Sequence, residues 1–191
     1  MRFQAFRRSW YVTGMEAVSA GTFRDERPPP LPSRNESADF SSFFGDEYSR
    51  VFRALVLVTR NTHDAEELTQ EAFARVWERW DRVGKMDDPV GYLYRTAMSR
   101  YFQTHRRAML AIRNRTFADP QQDVLARVDD LDLVERLLLQ LPPRQRAALV
   151  VRELLGYDST AAGRILGVRP GTVRRLASQA ITRLREGGYT P

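Results

Sequence analysis

Arg174, Arg175, Ser178, Gln179, Thr182 and Arg183 recur at three- and four-residue spacing along one side of the segment 170–186. Guanidinium, hydroxyl and carboxamide groups can bond phosphate oxygens and base edges. Arginine adds a planar fork that meets phosphate or guanine with two bonds at once. The other side of the segment carries Val173, Leu176, Ala177, Ala180, Ile181 and Leu184, an apolar stripe of helical period. No acidic residue stands between Ser159 and Arg185. A merely solvated helix mixes signs, because acid–base pairs four residues apart stabilise it by a few tenths of a kcal/mol each. A face of unrelieved positive charge is mildly unfavourable until a polyanion neutralises it. The chemistry indicated is noncovalent recognition of nucleic acid. The competing reading is a solvated helical hairpin.

Such a helix needs a partner to hold it. Gly163 supplies a small residue where two helices would cross, and Gly167 supplies the turn. Ala162, Leu166, Val168, Val173 and Leu176 are the residues expected to lock the pair. The spacing predicts a helix-turn-helix, with helices near 158–166 and 170–186. The second helix opens on Arg169-Pro170, where a capping Ser, Thr or Asp is the ordinary choice. Pro170 at the first helical position sacrifices no hydrogen bond and pre-sets φ. Arg169 opposes the helix dipole, and a phosphate contact is one reason to tolerate it.

Further upstream every period is helical, so the fold class expected is all-α, with two small domains joined by a linker. Phe40, Phe43, Phe44, Tyr48, Val51, Phe52, Leu55 and Val56 mark a first helix that ends near "RNTHDAEE". Thr62 or Asp64 can cap a second, with Leu68, Ala72, Phe73, Val76 and Trp77 as its stripe. Leu68, Phe73 and Trp77 read as core. "DRVGKMDDPVG" reads as a loop, after which Pro89 begins a third helix with Tyr92, Leu93, Ala97, Tyr101 and Phe102 inward. From Pro89 to Ala118 there is no acidic residue but six arginines. Further helices are expected near 124–140 and 143–154. The divisions expected are a disordered tail at 1–37, a first domain at 38–107, a linker at 108–123, a helix-turn-helix domain at 124–187 and a tail at 188–191. Met15 is a plausible start, since nothing before it is periodic.

Composition narrows the classes. The net charge is +6 and Lys85 is the only lysine among 191 residues. With a pI near 10.1 the chain suits nucleic acid, an anionic membrane surface or an acidic protein. A codon bias toward arginine accounts equally well for the Arg/Lys ratio, though not for the placement of the arginines. The lack of cysteine excludes thiolate metal sites, disulfides and a Cys nucleophile, and fits a reducing cytoplasm. No signal peptide or membrane insertion is expected. Two histidines, no glycine-rich phosphate loop and no carboxylate–His set indicate no enzyme and no metal or other cofactor.

Four segments occur in order: "DAEELTQEAFARVW", "GYLYRTAMSRYF", "LPPRQRAALVVRELLG" and "LGVRPGTVRRLASQAITRLRE". Together they resemble bacterial RNA polymerase sigma factors of the sigma-70 family, in the extracytoplasmic-function group, over about residues 39–187. The resemblance implies a transcription initiation factor that recognises −35 and −10 promoter elements and promotes DNA melting. Its implied partners are core RNA polymerase, through the β′ clamp helices and the β flap, promoter DNA, and an anti-sigma factor. It implies that Asp64, Glu66, Glu67, Gln70 and Glu71 bind core polymerase, although dipole capping alone would account for Asp64 to Glu67. It implies that Arg95, Arg100, Gln103, His105, Arg106 and Arg107 engage the −10 element. Tyr92, Tyr94 and Tyr101 are candidate platforms for unstacked bases, with Tyr92 and Tyr101 also suited to the core. It implies that Arg169, Thr172, Arg174, Arg175, Ser178, Gln179 and Arg183 engage the −35 element. The chain departs from the family at Ser99, where Asn is usual, and at Arg169-Pro170, where Ser-Glu is common. The alternatives are a helix-turn-helix regulator that works without polymerase, and a degenerate sigma-like interaction partner.

Overall fold

The computed structural model describes residues 34–113, 137–138 and 140–186. All regular structure among them is helical: α1 (Arg34–Thr59), α2 (Thr62–Trp77), α3 (Trp80–Val83), α4 (Pro89–Arg113), α5 (Pro143–Leu149), α6 (Ser159–Leu166) and α7 (Pro170–Glu186). Residues 1–33 of the tail expected at 1–37, most of the expected linker, the expected helix at 124–140 apart from 137–138 and Gln140, and the expected tail at 188–191 lie outside the described residues. α1 begins four residues before the expected first domain. α4 runs on to Arg113, through the first six residues of the expected linker.

Val51, Ala54, Leu55 and Val58 repeat at helical spacing on α1 and are fully buried. They pack against Ala65, Leu68, Ala72, Phe73 and Val76 of α2 and Leu93, Ala97 and Met98 of α4 in one apolar core. Rings close one end of it. Phe40 lies 4.6 Å from Trp77 and 5.2 Å from Trp80, and Phe43 lies 4.9 Å from Trp80.

Boundaries have local causes. α1 ends where Arg60 turns left-handed at φ 64°, and its N–H bonds the Val56 carbonyl at 2.9 Å. The cap of α2 is Asn61, not Thr62 or Asp64 as the sequence suggests. Its side-chain oxygen accepts from the N–H groups of His63 and Asp64 at 2.9 and 3.2 Å. The segment expected to be a loop after α2 contains the single turn α3 before it reaches Asp88. Asp88 then accepts the Gly91 N–H at 2.7 Å and starts α4, with Pro89 as its first residue.

α5 continues directly into a π-helical turn, Val150–Leu154, which buries Val150, Val151 and Leu154. Asp158 caps α6, accepting from Thr160 and Ala161 N–H at 2.7 Å each. The bonds to these two amides hold the Asp158 carboxyl below its ordinary value. Gly167 ends α6 in the left-handed region at φ 66°. Gly163 admits the turn: a Cβ there would stand 2.7 Å from the Val168 carbonyl oxygen. α5 packs on α7 and on α1, while α6 packs on both α4 and α7. The helix-turn-helix therefore rests on the first domain.

Candidate nucleic-acid interface

α7 separates its two sides as its sequence requires. Val173, Ala177, Ala180 and Leu184 are buried. Arg169, Arg174, Arg175, Ser178, Gln179 and Arg183 are exposed, and Thr172 is half-buried in the first turn. Gln179 is also tethered, since its carboxamide oxygen accepts from Gln145 of α5 at 3.4 Å. The Arg169 carbonyl accepts from the N–H groups of Thr172 and Val173 at 2.8 and 3.2 Å, so its backbone opens the helix while its side chain stands in solvent.

Along α4 the candidates divide. Arg95, Gln103, Arg106 and Arg107 are exposed. Gln103 donates to the Ser99 hydroxyl at 3.2 Å, so the position that departs from the family pattern sits on the same exposed strip. Arg100 is half-buried and bonded by Nε to Glu71 at 2.8 Å. His105 stacks on Tyr101 at 5.7 Å with rings 6° apart. Burial pushes the His105 pKa down, and the nearby Arg146 guanidinium adds to the shift. The tyrosines do not form an open platform. Tyr94 is only 1% exposed and meets Tyr157 edge-on at 6.3 Å, so it is not available for a base in this arrangement. Tyr101 is buried too, and burial raises its pKa. Tyr92 is half-buried and accepts from Arg79 at 3.1 Å; that bond holds its phenol below the ordinary value.

α2 carries the acidic group. Asp64, Glu67 and Gln70 are exposed, while Glu66 and Glu71 are half-buried. With the cap at Asn61, only Asp64 lies in the first turn. The dipole effect fades beyond that turn, so capping accounts for Asp64 and not for Glu66, Glu67 or Glu71. Glu67 pairs with His63 at 3.3 Å, and Glu66 accepts from Gln70 at 3.4 Å. Glu71 bridges Arg75 and Arg100, each at 2.8 Å. A residue expected to bind polymerase is thus bonded to one expected to bind DNA.

A cleft of about 640 Å³ lies where the α3–α4 turn and the start of α4 meet α6. Its lining includes Arg82, Lys85, Arg95 and Arg164 together with Asp87 and Asp88. Sequence reasoning left Arg82, Lys85 and Arg164 out of the basic surface, because each is isolated in the chain. It also left out Arg144 and Arg146 of α5, which touch the first domain. Their only signal was their place in the segment "LPPRQRAALVVRELLG".

Residues 43–110 match Sigma-70 region 2, and residues 131–184 match Sigma-70, region 4. The ECF RNA polymerase sigma factor SigM of Mycobacterium tuberculosis is 30% identical over 148 residues, covering 76% of this chain and 74% of that protein. The RNA polymerase sigma-E factor of Streptomyces coelicolor is 27% identical over 155 residues, covering 79% of this chain and 86% of that one. The sigma factor RpoE of Bartonella quintana, solved in complex with the anti-sigma factor NepR, shares the fold. Its TM-score is 0.61 at 20% identity, over 78% of this chain and 95% of that one. Matches to both domains disfavour a regulator built on the helix-turn-helix alone. No helix among the described residues is long and apolar enough to cross a membrane. The chain belongs to the sigma-70 family and is an RNA polymerase sigma factor of the extracytoplasmic-function group, a transcription initiation factor whose partners are core polymerase and promoter DNA.

Proposed function

We propose that the three surfaces divide the work of initiation. The exposed side of α7, through Arg169, Thr172, Arg174, Arg175, Ser178, Gln179 and Arg183, binds the −35 element in the duplex. The exposed strip of α4, through Arg95, Gln103, Arg106 and Arg107 with Arg100 and His105 at its edge, engages the −10 element as the strands separate. The acidic side of α2, through Asp64, Glu66, Glu67, Gln70 and Glu71, docks on the β′ clamp helices. The helix-turn-helix domain also meets the β flap. The chain works in the cytoplasm, where an anti-sigma factor restrains it.

The observation that carries this reading is the composition of the exposed side of α7. Its apolar half is buried, and its other half offers four arginines with Ser178 and Gln179 and no carboxylate before Glu186. Such a face gains most from a polyanion, and its side chains can tell one base pair from another. In vitro transcription with sigma-free core polymerase, followed by start-site mapping, tests it. Initiation at discrete sites preceded by a shared pair of elements is the expected result. Tight binding to duplex DNA with no promoter-specific transcript would overturn it.

A further inference from the structure

Gln145, in the first turn of α5, is only 9% exposed. Burying a carboxamide is unfavourable unless its polar atoms find partners. Here only one end does. Nε2 donates to the Gln179 side-chain oxygen of α7 at 3.4 Å, while Oε1 is enclosed and accepts no hydrogen bond among the described residues. Turned over, the same amide would put two N–H donors in that enclosed position in place of one oxygen. Buried N–H groups without a partner are rarer than under-satisfied carbonyls, so the observed orientation is the favoured one. A half-satisfied buried amide adds little to stability. Its one bond instead fixes the direction of a side chain on the exposed face of α7.

Gln179 is the one side chain assigned to the −35 element that is bonded to another helix among the described residues. Arg174, Arg175 and Ser178 share its exposed face without such a tether. A free glutamine amide turns over readily. It can then meet adenine with both ends, its oxygen at N6 and its nitrogen at N7. The bond to Gln145 removes that freedom. It turns the Gln179 oxygen inward, toward α5, and the planar amide then directs its Nε2 away from α5, with two N–H donors. In the major groove guanine offers acceptors at both N7 and O6. Adenine sets a donor at N6 beside its N7, thymine offers O4 alone, and cytosine offers only a donor. An amide held this way matches guanine, meets thymine or adenine with a single bond, and opposes cytosine.

We infer that Gln145 is a specificity-determining positioning residue. From a buried place on α5 it holds the Gln179 amide with its N–H groups toward the major groove, so that one base of the −35 element is read as an acceptor, with guanine preferred. The inference deepens the assignment of α7 to the −35 element and rests on it.

The test uses holoenzyme made from core polymerase and the full-length chain. Promoters found by the start-site mapping above are randomised over the −35 element, and the bound pool is sequenced. Gln179→Ala is expected to flatten the preference at one base pair, which identifies the pair that Gln179 reads. At that pair the parent chain is expected to prefer guanine. Gln145→Leu, checked for native helix content by circular dichroism, is expected to lower the guanine-to-adenine ratio there by about fivefold or more, the lower end of what one bidentate base contact discriminates. Preferences at the other pairs should keep their order, and Gln145→Leu should change nothing further in the Gln179→Ala background. Gln145→Met carries the same expectations if Gln145→Leu does not fold. A parent preference for adenine or cytosine at that pair overturns the inference, and this reading needs no variant of Gln145. So does an unchanged ratio in a folded Gln145 variant, or an equal loss at every pair, which a merely structural role would give. The contact itself is read without DNA. In the free chain the Gln145 side-chain amide resonances are expected to move on Gln179→Ala, and unmoved resonances overturn the inference whatever the promoter result. A parent pool with no enriched element would instead defeat the −35 assignment, and this role with it.

Discussion

Arg174 and Arg175 stand free of ion pairs among the described residues, on a helix side with no carboxylate to hold them. Replacing either with alanine is expected to weaken −35 binding by about 1–3 kcal/mol if its fork meets a base, with relaxed preference at that base pair. A phosphate contact would instead reduce binding to all sequences alike and flatten the salt dependence. Competition binding with single-base variants of the −35 element separates the two, and full affinity in both variants would remove this face from the interface. On α2 the structure sharpens which acid to test. Glu67 is exposed and, among the described residues, pairs only with His63, also exposed, so Glu67→Arg is expected to weaken core binding with the fold intact. Glu71→Arg would break two ion pairs and release Arg100 as well. The readout for Glu67→Arg is the amount of core polymerase that co-purifies. Most of this was legible in the sequence, because exposure follows helical period. The Glu71–Arg100 bond was not, since it joins residues 29 apart across two helices.

Among the elements, α6 and α7 match their expected bounds within one residue. Gly, Asp and Pro fix their ends by backbone geometry rather than by distant packing. Gly163 is the strictest of these positions. Alanine there gains about 1 kcal/mol of helix propensity. It also forces a methyl group against the Val168 carbonyl, whose residue is tied back by its N–H to the Gly163 carbonyl at 3.0 Å. Overpacking of this kind typically costs about 1–3 kcal/mol, and a backbone carbonyl cannot swing aside as a side chain can. Gly163→Ala is therefore expected to lower the urea midpoint and with it −35 affinity; an unchanged midpoint would show that the turn yields freely. Elsewhere the sequence misled for local reasons. Thr62 and Asp64 are the expected caps, although Asn61 is by type as good a cap as Asp and better than Thr; the left-handed Arg60 delivers the chain to Asn61 in an extended conformation, and its oxygen is then nearest the open amides. The turn α3 lacks the length for any period to show. The π turn after α5 carries no sequence signal, because an α-helix of the same residues would be equally apolar.

For the whole molecule, a buried arginine between domains reads in the sequence as one more surface charge, which is why the packing of the two domains on each other could not be foreseen. That packing predicts a pH response. His105 sits within the field of Arg146, and its pKa is lowered in the folded chain, chiefly by burial. The unfolded chain therefore takes up the proton first as pH falls. The neutral His105 contributes stability fully above about pH 6.5, and that contribution fades as pH drops toward the lower folded value. Unfolding followed between pH 7.5 and 5.5, above the range where most carboxylates titrate, is expected to show a loss that His105→Gln removes.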